Sequence, residues 1–375
     1  MNRFIFISSL LLIYVLNSCD SRNSALIEQM DKRAENIQKQ FIPDKSLEAF
    51  NYELVYENGW ILKGETTSET AGKKVISLAD SLLGKDGYKN NFMLLPDPQL
   101  GDSSLALVVR SVGHLRREPR HASEMLDQVI LGNELRLLKK HKSWYLVQNH
   151  YGYIGWITKY SIHTMDEESL NQWNSGPLLR VTELFGSVYA KPDMNSEKLS
   201  DLVLNATLKM ISKKGKWTKV ELPDAKQGYV LSRTIETLGK ELPGREKLIA
   251  NILKTAKSMI GVPYLWGGKS SKANDCSGFT QTVFKANGIQ LARDARQQVL
   301  DGQEIIPDST FSNVMPGDLV FFGSGKRITH VGMSLGGYEF IHQDRDAHID
   351  SFNPNAENFN AFRKKTLRHI KRIIQ

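Results

Sequence analysis

Asn274-Asp275-Cys276-Ser277-Gly278-Phe279 is the stretch on which the reading of this chain turns. It follows the Gly- and Pro-containing run Gly261-Val262-Pro263-Tyr264-Leu265-Trp266-Gly267-Gly268 and opens a short helical pattern. Phe279, Val283 and Ala286 recur at helical spacing, and Asn287-Gly288 supplies the stop. Cys276 is therefore predicted in the first turn of a helix. Unpaired N–H groups and the positive end of the dipole favour an anion there, which predicts a thiol pKa lowered toward the thiolate and a ready oxyanion site. The other cysteine is Cys19. It follows Met1-Asn2-Arg3, an apolar run from Phe4 to Leu16 and Leu16-Asn17-Ser18, the pattern of an export signal ending in a lipid-attachment cysteine. A lone cysteine is more often a small buried hydrophobe than a nucleophile. With Cys19 acylated, however, Cys276 is the one free thiol of an exported protein, and its retention points to chemistry.

A nucleophile needs a base. Ile328-Thr329-His330-Val331-Gly332-Met333-Ser334 alternates as a strand does, and Tyr338-Glu339-Phe340-Ile341-His342 returns after Gly336-Gly337. Parity decides whether the two imidazoles meet. A two-residue Gly336-Gly337 loop would set His342 opposite Val331, on the wrong face. A three-residue loop, Leu335 to Gly337, pairs Ser334 with Tyr338 and sets His330 directly across from His342. Cys276, His330 and His342 then form a layout of nucleophile, base and orienter.

These residues, with Pro316-Gly317-Asp318-Leu319-Val320-Phe321-Phe322, resemble the NlpC-type branch of the papain-like cell-wall cysteine peptidases over about 242–375. The resemblance implies a papain-like α+β domain in which the cysteine helix packs on an antiparallel sheet. It implies Cys276 as nucleophile, His330 as general base and His342 as third member. Tyr264, Asp275 and Ser277 fall among the implied substrate-binding residues. The implied reaction is hydrolysis of the γ-D-glutamyl to L-diamino acid bond of peptidoglycan stem peptides.

Upstream, an internal repeat is visible. Glu118-Pro119, Leu126, Leu131, Leu135 and Trp144 recur at a constant offset as Lys191-Pro192, Leu199, Leu204, Leu208 and Trp217. Each copy has the size and turn spacing of a small barrel of short strands. The pair looks like tandem bacterial SH3-like domains, expected over 105–165 and 178–238. In family members of this architecture the first such domain closes one end of the cleft over a free N-terminal L-Ala. By resemblance Glu118, Tyr153 and Asp294 would contact that amine, although Ala295 stands where the family pattern often has a hydroxyl after the acid. Before the repeat, 41–100 reads as a small α+β unit, 19–40 as a tether and 1–18 as a lipoprotein signal peptide.

The formal charge of +8 is spread along the chain without a nucleic-acid motif, which favours anionic wall or membrane surfaces over nucleic acid. No cofactor or metal is expected, because His114, His121, His141 and His150 are scattered and the Cys/His set lacks zinc-site spacing. The sequence thus predicts an exported cysteine endopeptidase, lipid-anchored through Cys19 in the cell envelope and periplasm-facing in a Gram-negative bacterium. Its expected partners are stem peptides and the membrane. The alternatives are a noncatalytic wall-binding lipoprotein, and an amidase or acyltransferase on the same fold.

Overall fold

The structure, a computed structural model, describes residues 8–239 and 241–375, with side chains from residue 23 onward. Of the expected signal peptide, residues 1–7 lie outside the described residues, as do the side chains of 8–22, Cys19 included. Two units form: residues up to 100 together with 152–154, and 101–151 together with 155–375.

In the first unit, strands Phe50–Tyr56 and Trp60–Thr66 pair antiparallel, and Tyr88–Leu94 joins the second in parallel. The parallel pair needs a crossover. Helix Glu69–Leu83 provides it, started by the Ser68 hydroxyl accepting from Ala71 N–H. The segment 19–40, expected as a tether with some helical character, differs from that expectation in packing into the core. It belongs to helix Ser8–Phe41, and Met30 and Ala34 are fully buried in the same core as Leu54, Leu62 and Val75. The charged residues between them concealed a buried stripe at i, i+4 spacing.

The second unit begins with the repeat, and its two copies share one strand order. Leu105–Val108, Val112–Arg116, Met125–Ile130, Glu134–His141, Trp144–Asn149, Ile154–Thr158 and Ile162–Met165 form a seven-stranded sheet. Their counterparts from Leu178–Val181 to Ile235–Thr237 form another with the same neighbours. Bulges recur at the repeat offset, between Leu115/Arg116 and Val188/Tyr189 and between Leu137/Lys139 and Met210/Ser212. The left-handed residue Gly132 has Asn205 as its counterpart, and Asn tolerates that backbone better than other non-glycine residues.

The last sheet runs Gln303–Glu304, Leu367–Arg372, Leu319–Ser324, Arg327–Gly336, Glu339–Gln343, Ala347–Ser351, each pair antiparallel. Helix Cys276–Lys285 buries Phe279, Val283 and Phe284 with Val331, Met333 and Ile341 of this sheet. That packing fixes the helix against the strand bearing His330. Its start is fixed by charge. Asp275 is the N-cap and accepts from Gly278 N–H at 2.7 Å and from Gly267 N–H at 3.0 Å. Arg293, 2% exposed, holds both Asp275 oxygens (3.1 and 2.7 Å) and donates to Asp127 of the first repeat copy at 2.5 Å. The buried Lys269 and the Tyr151 hydroxyl also engage Asp127, and burial pulls the Lys269 pKa down to about 7, which leaves Arg293 as the firm cation between the two carboxylates. Two glycines permit the close approach: a Cβ on Gly267, whose φ is +73°, would lie 2.5 Å from Met125 O, and one on Gly278 would lie 2.0 Å from Gly268 O.

Candidate active site

Cys276 is the first residue of its helix and is 8% exposed. The Val331 and Ser277 N–H groups face its thiol and pull its pKa down, but burial, aided by the neighbouring Asp275 carboxylate, pushes it up to about 12. This corrects the sequence expectation of a lowered pKa. The helix terminus is present, yet removing a thiolate from water in so closed a site costs more than a few oriented N–H groups return. His330 is 6% exposed, and burial, with Arg363 nearby, holds it well below the ordinary imidazole range. Burial thus favours the neutral form of each group.

The hairpin register also differs from expectation. Gly332 pairs with His342, Met333 with Ile341 and Ser334 with Phe340, and a bulge at Leu335 precedes the Gly336/Glu339 pair. His330 is thus diagonal to His342 rather than opposite it. Parity survives, because a slip of two residues returns each side chain to its face. Diagonal neighbours lie within reach of long or aromatic side chains. His330 Nε2 and His342 Nδ1 are 2.9 Å apart.

Behind them stands Asp350, which sequence reasoning missed. Its Oδ2 is 3.0 Å from His342 Nε2 and accepts from Asn360 Nδ2 at 2.5 Å. Burial raises the Asp350 pKa, but the His342 and Asn360 hydrogen bonds outweigh it and bring it to about 2. The tautomers follow from donor and acceptor matching. A carboxylate only accepts, so His342, kept neutral mainly by burial, carries its proton on Nε2. Its Nδ1 then accepts from His330 Nε2–H, which leaves His330 Nδ1 as the basic nitrogen. The available signal was the alternation of Ala347-His348-Ile349-Asp350, which puts His348 and Asp350 on one face beside His342.

Tyr264 is half-buried. Its phenol is pushed far up by burial and by the nearby Cys276 and Asp275, so it is a protonated donor beside the thiol. Asp275 and Ser277 use their side chains in the cap, the Ser277 hydroxyl lying between Asp275 and Arg293. Asp294 caps helix Ala295–Gln298 and pairs with Arg296 at 2.9 Å, and burial raises its pKa. Glu118 lies in an exposed loop paired with Arg120 at 2.5 Å, with 52% of its side chain exposed. Tyr153 is buried.

The NlpC/P60 family matches residues 261–370, and the bacterial dipeptidyl-peptidase SH3 domain matches 115–162. The chain carries an NlpC/P60 cysteine peptidase domain. Dipeptidyl-peptidase 6 of Lysinibacillus sphaericus is 28% identical over 243 residues, 63% of this chain and 86% of its own length. The gamma-D-glutamyl-L-lysine dipeptidyl-peptidase of Bacillus cereus is 28% identical over 60% of this chain and 69% of its own. That of Bacillus subtilis is 28% identical over 58% and 72%. Among solved structures, an NlpC/P60 family protein from Bacillus cereus shares the fold with a TM-score of 0.63 at 22% identity, covering 72% of this chain and 100% of that one. An NlpC/P60 endopeptidase from Photobacterium damselae subsp. piscicida does so with a TM-score of 0.54 at 18% identity, over 73% and 72%.

Two outcomes test the NlpC/P60 site geometry. Because burial pushes the Cys276 thiol up to about 12, its alkylation by iodoacetamide is expected to climb about tenfold per pH unit from pH 6 to pH 10. A plateau below pH 7 would show a preformed ion pair instead. Asp350→Asn is expected to lower kcat by about a hundredfold with KM within about twofold, since an amide can present its NH2 and select the wrong His342 tautomer. Unchanged kcat would remove Asp350 from the chain.

Proposed function

We propose that this chain is a cell-wall cysteine endopeptidase that cuts stem peptides between γ-D-glutamate and an L-diamino acid. Cys276 at the helix start, facing Val331 and Ser277 N–H groups and served by a His330 whose tautomer is fixed through His342 and Asp350, carries this reading. The names of the Bacillus relatives support the bond class.

His330 Nδ1 takes the Cys276 proton as the sulfur attacks the scissile carbonyl. The oxyanion develops where helix-start N–H groups already point. The imidazolium is stabilised through His342 by Asp350 and then gives its proton to the leaving amine. The C–N bond breaks to leave a thioester, which water, deprotonated by His330, hydrolyses to release the carboxylate and return the thiol.

The preferred substrate in this proposal has a free N-terminal L-Ala, with Glu118 and Asp294 as its carboxylate partners. Each now faces an arginine, Arg120 or Arg296, which a substrate ammonium would have to displace. L-Ala-γ-D-Glu-diamino acid peptides are expected to be cleaved after D-Glu, and N-acetylated counterparts to lose at least about tenfold in kcat/KM. Cys276→Ala should abolish cleavage of both. Equal rates for free and acetylated peptides would assign Glu118 and Asp294 to their loops alone.

Action of such an enzyme lies outside the cytoplasm. Within that setting, anchoring by a lipid on Cys19, facing the periplasm of a Gram-negative cell, is part of the proposal and rests on the apolar run that precedes Cys19. Incorporation of labelled fatty acid into the wild-type chain, absent in Cys19→Ala, is the expected result, and an unlabelled wild-type chain would refute the anchor.

A further inference from the structure

His348 is not needed for the chemistry above, yet its surroundings are unusual. Its Nδ1 lies 2.8 Å from the Asp346 carbonyl oxygen and 3.0 Å from Asp346 Oδ1. Both are acceptors, so Nδ1 carries the proton and Nε2 of the neutral ring presents a lone pair. That lone pair faces Asp350 Oδ2 at 3.6 Å and Asp344 Oδ1 at 3.7 Å. Two carboxylate oxygens thus face His348 Nε2, one already accepting from His342 and Asn360 and the other on a carboxylate held by Arg363. Beyond Asp350 Oδ2, at 3.0 Å, is His342 Nε2, and the His342 and His348 rings lie 4.5 Å apart.

We infer that His342, His348 and Asp344, whose ligand atoms all lie within 4.8 Å of one another, form with the adjacent Asp350 a binding site for zinc or a similar divalent transition metal, and that metal bound there switches the peptidase off. Tetrahedral zinc with bonds of about 2.0–2.2 Å sets its ligand atoms roughly 3.3–3.5 Å apart. His348 Nε2 lies 3.6 Å from Asp350 Oδ2 and 3.7 Å from Asp344 Oδ1, and His342 Nε2 lies 3.0 Å from Asp350 Oδ2, close to that value, while Asp344, now 3.9 Å from His342 at Nδ1, must swing toward Nε2 to close the set. Two imidazoles and two carboxylates select a transition metal over calcium or magnesium. Asp346 would be the outer partner that orients His348, as ligating histidines require. The charge balance permits a dication. Arg363 holds Asp344 through Oδ2 at 3.2 Å and Arg345 lies 3.5 Å from Asp346, so three carboxylates face two guanidiniums. Entry is open on the side of His348 and Asp344, whose side chains are 18% and 31% exposed, whereas His342 is fully buried.

Inhibition follows from the tautomers. Metal on His342 Nε2 forces that ring's proton to Nδ1, which then donates to His330 Nε2. His330 must in turn carry its own proton on Nδ1, the nitrogen that receives the thiol proton in catalysis. Two ring protons are redistributed and none is lost, but the base is gone. The spacing His342, Asp344, His348, Asp350 matches no familiar metal motif, because the ligands meet only when the two strands pair.

The inhibition rests on the proposed peptidase activity, but binding does not. Cys276→Ala protein, which lacks the thiol that would itself capture zinc, is titrated calorimetrically with zinc chloride at neutral pH. One equivalent is expected to bind, and adding His348→Ala should weaken binding at least about tenfold. Nitrogen-15 spectra of the zinc-loaded Cys276→Ala protein should show His330 protonated at Nδ1. With intact Cys276, His348→Ala should keep basal cleavage within about threefold and shift zinc inhibition to at least about tenfold higher concentration. Absence of binding to Cys276→Ala overturns the site, as does binding insensitive to His348→Ala, which would leave a proton on His348 as the occupant of the gap. Inhibition insensitive to His348→Ala, or an unshifted His330 tautomer, overturns the switch.

Discussion

Arg293 is the constraint on which the catalytic end of the molecule depends. Its guanidinium is buried between Asp275, the cap of the nucleophile helix, and Asp127 of the first repeat copy. Loss of one partner would strand a buried charge, at a cost of about 3–5 kcal/mol. The position of Cys276 is thus tied to a side chain of another domain, and the first copy acts as part of the catalytic scaffold. The second copy is tied in away from the cap, with Asn205 Nδ2 donating to the Thr282 carbonyl oxygen, the Ser271 hydroxyl to that of Leu184, Arg180 to that of Lys285, and Lys272 paired with Asp201 at 2.5 Å. Only the first places a charge at the cap.

The site is a contest between burial and polarity, and burial wins at both reacting groups. A thiol pushed up to about 12 by burial and an imidazole held low are both poorly ionised before substrate arrives. Proton transfer must then accompany attack, which puts the demand on orientation rather than on ground-state ionisation. The His330, His342, Asp350 chain meets that demand. It fixes which nitrogen is basic and places a full negative charge where the imidazolium charge can reach it through one neutral ring. The sequence, with two histidines in view, suggested a weaker neutral orienter.

What the sequence made legible was local. Cys276 at a helix start needs only Asp275 before it and the spacing of Phe279 and Val283 after it. The repeat was readable because its leucines and tryptophans recur at a constant offset, and in the structure bulges and left-handed positions recur at the same offset. The hairpin was readable in parity but not in register, since nothing about Leu335 announces a bulge. Asp350 and Arg293 were not readable, because each acts on residues far along the chain or on another strand. The helix through Met30 and Ala34 was concealed by its charged surface.

The device that fixes His330 also exposes it. A ring that orients its neighbour through one nitrogen must hold a proton on the other, and whatever replaces that proton reverses the relay. In a serine triad a carboxylate occupies the orienting position directly and has no second tautomer to lose. Here an imidazole occupies it, and His348 Nε2 stands 3.6 Å from the same Asp350 oxygen that accepts the decisive proton. The third position therefore carries two properties together: it transmits the Asp350 charge to the base, and it makes the base responsive to any cation that competes for His342 Nε2.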